Sequence, residues 1–257
     1  MKIRVGYIPY LNSAAFYYRM VADDVELCPL VPSALSRAAH RGEVDVGPVP
    51  LVDCFRLEEH FVPLGDFCIS TLDKSRSILF FSQRPIEELS GARVGITGET
   101  STSSRLLQVL LTRRFQVQPV NYVSSQDSND AFLLIGDSAL KSRLGVPSYP
   151  YKYDLGEEWH RWTGLPFVYA LWIVRRDLEP ETVDYLVRLV GDSLKQGLAN
   201  LEGIARGRED LGMSYREIRE YLEGFRYVLG EEERKAMELF RNLYGVTQTL
   251  EEISHAG

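Results

Sequence analysis

A chain of 257 residues has room for one large domain or two small ones, with ample core either way. Its 45% hydrophobic and 25% charged content is that of an ordinary soluble globule. A net charge of −7 argues against nucleic acid and anionic membrane surfaces as partners, and no apolar run approaches the length of a membrane span.

The first residues, MKIRVGYIPYL, go straight into a strand without a signal-peptide apolar core or a lipidation signal, so a cytoplasmic protein is expected. Ile3, Val5 and Tyr7 alternate along that strand, which ends at Pro9. In LNSAAFYYRM, Asn12 or Ser13 is placed to cap a helix carrying Phe16, Tyr17 and Met20. Val25–Val31 reads as the next strand, and Ser33 as the cap of a helix that Gly42 stops. Val44–Val46 is a very short strand, after which Gly47, Pro48, Val49 and Pro50 are expected to turn the chain into another short helix. This βαβαβα order is the signature of a parallel sheet wrapped by helices. Ligands in open sheets of this kind sit at the carboxyl ends of strands, which puts Pro9–Ser13 and Gly47–Pro50 on one rim.

Phe61–Ile69 and Ser77–Ser82 follow as apolar strands around the polar loop Ser70–Arg76, and Pro85 starts a short helix ended by Gly91. The stretch ARVGITGETSTSSRLLQVLLTRRF then reads as a strand at Arg93–Ile96, a polar turn, and a packed helix from about Ser101. A helix start leaves backbone N–H groups unpaired and carries partial positive charge. Five hydroxyls from Thr100 to Ser104 stand beside those amides, more than one cap needs. A carboxylate or other anion site and an ordinary capped helix both fit. The absence of GxxxxGK[ST] argues against a nucleotide.

Val120–Tyr122 and Phe132–Ile135 extend the second series of strands, and Gly136-Asp137-Ser138 lies just past a strand end, again at a rim. Phe167–Val174 returns as a strand, and the remainder reads as helical. Pro180 opens one helix, and Ser214–Glu217 and Thr249–Glu252 fit the capping-box pattern. The expected architecture is α/β with two lobes. Residues 1–83 and 156–257 form the first, with the helical tail packed on it, and residues 84–155 form the second.

Candidate chemistry is sparse. His40, His60 and His255 lie away from the rim turns, and His160 sits in EEWHRW on an expected helix, as a surface or packing histidine. No serine has a G-x-S-x-G elbow, and Glu157 and Glu158 are adjacent and cannot face each other on a helix. Cys28, Cys54 and Cys68 are odd in number and fit no metal spacing, so reduced buried thiols are expected. No metal and no organic cofactor is expected. What remains is a set of rim positions rich in amides and hydroxyls, Asn12, Ser13, Ser77, Thr102, Ser103 and Asp137. They describe a binding cleft, and an enzyme only if the substrate brings much of its own reactivity.

Four motifs carry a resemblance. YLNS at Tyr10–Ser13, DVGPVPLVD at Asp45–Asp53, IGDSAL at Ile135–Leu140 and DLGEEWHRWTGLPFVYALW at Asp154–Trp172 resemble the chorismate dehydratases of menaquinone biosynthesis by the futalosine pathway. The likeness extends to about Asp177. It implies the two-lobe, type II fold of periplasmic solute-binding proteins, with the cleft between the lobes. It also implies removal of water from chorismate to give 3-[(1-carboxyvinyl)oxy]benzoate. By this resemblance Asn12 and Ser77 match active-site positions, and Thr102 and Ser103 match a turn that holds a substrate carboxylate. Ser13, Gly47, Pro48, Gly136 and Asp137 are the further substrate-binding positions expected along the rim. The partner implied is a small molecule, with the oligomeric state left open. Two departures stand out: Ala15 occupies the place of a usual proline, and the Ser124–Asp130 link is short.

Three alternatives remain at this point. The dihydroxynaphthoate-forming enzyme of the same pathway shares the fold but has a cysteine- and aspartate-containing turn where this chain has PYLNSAAF. A solute-binding transport receptor would need export, and a ligand-sensing regulator would need a DNA-binding helix pair.

Overall fold

The computed structural model describes residues 2–117 and 120–255, with side chains described as far as residue 245. Its elements begin with β1 (Ile3–Tyr7), a 3-10 helix over Leu11–Tyr17, β2 (Val25–Pro29), α1 (Pro32–His40), β3 (Val46–Pro50) and α2 (Leu51–Leu57). Next come β4 (Phe61–Thr71), β5 (Ile78–Ser82), a 3-10 turn at Ile86–Glu88, β6 (Arg93–Ile96) and α3 (Thr102–Val109), which runs on into a π-helical turn over Leu110–Arg114. They are followed by β7 (Asn121–Ser124), β8 (Ala131–Ile135), α4 (Gly136–Lys141), β9 (Tyr151–Asp154), α5 (Leu155–Thr163) and β10 (Phe167–Arg175). The chain closes with α6 (Pro180–Ala199), α7 (Leu201–Ala205), a 3-10 turn at Glu209–Leu211, α8 (Tyr215–Glu223), β11 (Phe225–Val228) and α9 (Glu231–His255).

Contacts divide these elements into two compact units, Met1–Ser70 with Tyr169–Leu229, and Thr71–Val168 with Gly230–Gly257. The first unit is built on a six-stranded sheet in the order β11-β4-β10-β3-β1-β2. β1 lies parallel to β2 and to β3, whereas β10 runs antiparallel to β3, with Ala170 opposite Pro50 and Val174 opposite Val46. The expected turn at Gly47–Pro50 is therefore the body of a buried strand. Gly and Pro read locally as turn residues, but here packing decides. A β-carbon on Gly47 would stand 3.1 Å from the Cα of Gly6, so the close approach of β1 and β3 requires glycine there.

Asp45 ties the three central strands together. Its carboxylate accepts from Arg4 Nη2 at 2.7 Å, Arg4 Nε at 3.0 Å and Arg175 Nη1 at 3.1 Å. Behind the sheet, Phe16 is ringed by Phe67, Trp172 and Tyr227, with ring centroids 5.2–6.1 Å apart. Phe16, Trp172 and Tyr227 are buried, and rings of this size remove much apolar surface from water. Of the three thiols, all free, Cys54 and Cys68 are buried as expected, but Cys28 is only partly so.

The second unit is built on a five-stranded sheet in the order β7-β6-β8-β5-β9. The sequence reading places Ser77–Ser82 in the first lobe. The structure instead pairs β5 with β8, Ile78 opposite Ile135, and with β9, Leu79 opposite Asp154. The chain therefore changes unit at Ser70–Thr71, before that strand, and returns at Val168–Tyr169 rather than near residue 155. β5 is apolar on both faces, which a central strand of either sheet would satisfy; hydrogen-bond partners, which a sequence does not show, decide.

The tail also divides. α6, α7 and α8 belong to the first unit, as does β11, a strand absent from the expected all-helical tail. α9 belongs to the second, where Phe240 packs edge-on against Trp159 and Phe167. The capping box expected at Ser214–Glu217 is formed in full. That at Thr249–Glu252 falls within the continuous backbone of α9, so no helix begins there, and its side chains and those of His255 lie outside the described residues.

Candidate active site

In the second unit, strand direction gathers the expected residues at one sheet edge. β6 and β8 are parallel neighbours, so their carboxyl ends, leading to Thr97–Ser103 and to Gly136–Asp137, share an edge. β5 runs antiparallel to β8, so its beginning, Ser77, lies at that same edge. The backbone confirms the proximity, with Gly136 N donating to Ser77 O at 2.8 Å. β9 is antiparallel to β5, which brings its last residue, Asp154, to the same edge.

Ser77 is buried, and its hydroxyl donates to Ser75 O at 3.3 Å. Thr102 and Ser103 open α3 and are also buried. The N-cap residue of this helix, Ser101, makes no side-chain capping bond. Ser104 Oγ instead donates back to Ser101 O at 2.8 Å. Just upstream, the hydroxyl oxygens of Thr97 and Thr100 are buried without a hydrogen-bond partner among the described residues. A helix start without a side-chain cap, beside unsatisfied hydroxyls, favours an anion over a self-contained cap, since buried polar groups left unpaired cost free energy.

The loop leading to Ser77 is organised by Asp154, which the sequence reading names as the first residue of a motif and gives no role in the site. Asp154 caps α5, its Oδ1 accepting from Gly156 N at 2.9 Å and Glu157 N at 3.3 Å. The same oxygen accepts from Ser75 N at 3.0 Å and Ser75 Oγ at 2.9 Å, and Oδ2 from Arg76 N at 2.6 Å. Burial raises the carboxyl pKa of Asp154, against the opposing pull of these donors. The available signal was the aspartate preceding the LGEE start of a helix, a cap pattern that says nothing of a second set of partners.

In the first unit, Asn12 lies on the 3-10 helix that follows β1, past the carboxyl end of that strand. Tyr10 is the N-cap, without side-chain capping, so neither Asn12 nor Ser13 caps a helix. Asn12 Oδ1 is buried and has no hydrogen-bond partner among the described residues. Ser13, expected to bind substrate, is wholly buried; its hydroxyl donates to Ile8 O at 2.6 Å and Tyr10 O at 2.9 Å, which holds the turn. Gly47 and Pro48, expected on the rim for the same purpose, lie within β3, whose carboxyl end is Pro50. Both shape the sheet. Among the described residues, no group of three or more His, Cys, Asp or Glu is placed to hold a metal ion.

Two sheets with helices packed on them make this an α/β protein. Solved structures agree on the fold. A protein of Archaeoglobus fulgidus superposes with a TM-score of 0.78 at 18% identity, covering 96% of this chain and 98% of that one. The alkanesulfonate-binding protein SsuA from Xanthomonas axonopodis pv. citri, bound to MOPS, superposes at 0.69 with 14% identity, covering 96% and 93%. The fold is thus that of the periplasmic binding proteins.

Within that class, the chain belongs to the menaquinone biosynthesis family, which matches residues 3–245. It is 28% identical to the chorismate dehydratase of Thermus thermophilus, over 94% of this chain and 95% of that one.

Proposed function

We propose that the protein is a chorismate dehydratase, a carbon–oxygen lyase that eliminates water from chorismate to give 3-[(1-carboxyvinyl)oxy]benzoate. The observation that carries this reading is the near end-to-end alignment with the Thermus thermophilus enzyme of that name. The edge chemistry supports it: chorismate is a dianion, and α3 starts without a side-chain cap, with Thr102 and Ser103 in its first turn. Aromatisation of the ring supplies much of the driving force. The ring carboxylate, conjugated through a double bond, acidifies the proton to be lost. That proton leaves the ring carbon bearing the enolpyruvyl ether, and the hydroxyl departs from the neighbouring carbon.

The protein's part is then orientation and electrostatic stabilisation. Thr102 and Ser103 hold a carboxylate. Asn12 accepts from the ring hydroxyl through Oδ1 and donates its NH2 to the enolpyruvyl carboxylate, which takes the ring proton and hands it to the departing hydroxyl, so that water leaves and the carboxylate is restored. Ser77 Oγ, its own proton turned to Ser75 O, accepts from the water as it departs, and Gly136 and Asp137 stand beside it. Ser13, Gly47 and Pro48 contribute by shaping the backbone. The reading carries with it a cytoplasmic enzyme whose partner is a small molecule. Incubating purified protein with chorismate and separating the products tests it. The aromatic ether, lighter by one water, is the expected product, and chorismate recovered unchanged would defeat the reading.

A further inference from the structure

We infer that Asp154 is a positioning residue that sets the hydroxyl of Ser77, an inference that rests on the dehydratase reading for the importance of Ser77. Capping α5 needs only the bonds from Gly156 N and Glu157 N. Asp154 makes three more, all to Ser75 and Arg76, residues 79 and 78 positions earlier in the chain. Those bonds hold a backbone that would not hold itself. Arg76 has φ +57, in the left-handed region that strains a non-glycine residue. Its N–H is held by Oδ2 at 2.6 Å. Ser75 is pinned twice by Oδ1, and its own Oγ accepts from Ile78 N at 2.9 Å, so both sides of Ser77 are tied to one carboxylate. Ser77 Oγ in turn donates to Ser75 O, the carbonyl of a residue that Asp154 fixes.

Asp154→Asn separates the two duties. Asn caps a helix about as well as Asp, but its NH2 cannot accept. Four donors, two of the α5 cap and two of Ser75, converge on Oδ1, so the amide oxygen takes that place and the NH2 faces Arg76 N–H. The expected result is a folded protein whose kcat for chorismate falls about tenfold or more while KM changes by less than about threefold. Adding Arg76→Gly, which makes the left-handed backbone free of strain, should recover part of that kcat.

Amide hydrogen exchange at residues 75–77 gives a readout independent of turnover. Exchange about tenfold faster in Asp154→Asn than in the parent is expected. Unchanged exchange at these amides, or a folded Asp154→Asn protein with parental kcat, would overturn the inference, as would a loss of kcat that matches the unfolded fraction. A parent protein inert toward chorismate would instead remove the dehydratase reading, and the exchange measurement would still decide whether Asp154 orders the turn.

Discussion

Gly197 of α6 lies directly against the backbone of Ala15 in the 3-10 helix, so that a β-carbon on Gly197 would stand 2.7 Å from Ala15 Cα. The glycine lets a long, well-packed helix press on the short one that carries Asn12. Gly197→Ala should displace that short helix, because the obstruction is main chain and cannot swing aside. Overpacking of this kind costs about 1–3 kcal/mol. A lowered melting temperature together with reduced chorismate turnover in the folded fraction is the expected outcome, and an unchanged melting curve would contradict it.

Asn12 should dissociate stability from activity. Its Oδ1 is buried without a partner among the described residues, so Asn12→Ala removes a desolvated acceptor and breaks no hydrogen bond of that oxygen. Melting at or above the parental temperature is expected, with kcat/KM for chorismate lowered by about a hundredfold. A destabilised but fully active Asn12→Ala protein would show that the side chain serves the fold alone.

Thr102→Ala tests the carboxylate grip at the start of α3. A hydrogen bond to a charged group is worth about 1.5–3 kcal/mol, and a grip on a non-reacting carboxylate acts in ground and transition states alike. KM should therefore rise by roughly ten- to a hundredfold with kcat little changed. A large fall in kcat at constant KM would assign Thr102 to the chemical step.

Acid should release the clamp across the first sheet. Burial works to raise the Asp45 carboxyl, but hydrogen bonds and charge from Arg4, with help from Arg175, outweigh it and hold its pKa below the ordinary carboxylate value. A folded-state pKa below the unfolded one stabilises the fold at any pH above the unfolded value, and that share disappears as pH falls through the folded value. Asp45 is buried, but Arg4 and Arg175 are each about a third exposed. Solvent screening therefore keeps the loss below the about 3–5 kcal/mol of a fully buried pair, and Asp45→Asn should be measurably less stable at neutral pH. The gap between the two proteins should narrow below about pH 4, where the parental carboxylate begins to protonate in the unfolded chain. Denaturation midpoints at several pH values measure it, and a constant gap would refute the clamp.

Local patterns anticipated much of the fold. The alternation at Ile3–Tyr7, the strand-turn-helix of Arg93–Val109, the Pro180 helix start and the Ser214–Glu217 capping box all appear where the chemistry of a few neighbouring residues places them. Local patterns misled where the deciding partner was remote. Gly47 and Pro48 carry turn signals, yet β10 and the bare backbone of Gly6 make them a strand.

Asn12, Ser77, Thr102, Ser103, Gly136 and Asp137 stand out in the sequence one by one as candidates, and their roles are proposals. That Ser77, α3 and Gly136 share an edge was not legible there, because it depends on β5 entering the second sheet antiparallel to β8. Ser13 shows the opposite limit, a polar residue in a motif whose hydroxyl the fold turns inward onto two carbonyls.

By itself, then, the sequence determined the α/β class, some helix starts such as those at Pro180 and Ser214, and the kinship carried by its four motifs, since periodicity, capping and motif spacing are properties of residues near one another in the chain. The tertiary structure alone decided where the chain changes unit, which unit receives α9, and what Asp154 does. Each of these depends on hydrogen bonds or ring contacts between residues far apart in sequence, and nothing local in the chain encodes which distant donor a buried carboxylate will meet.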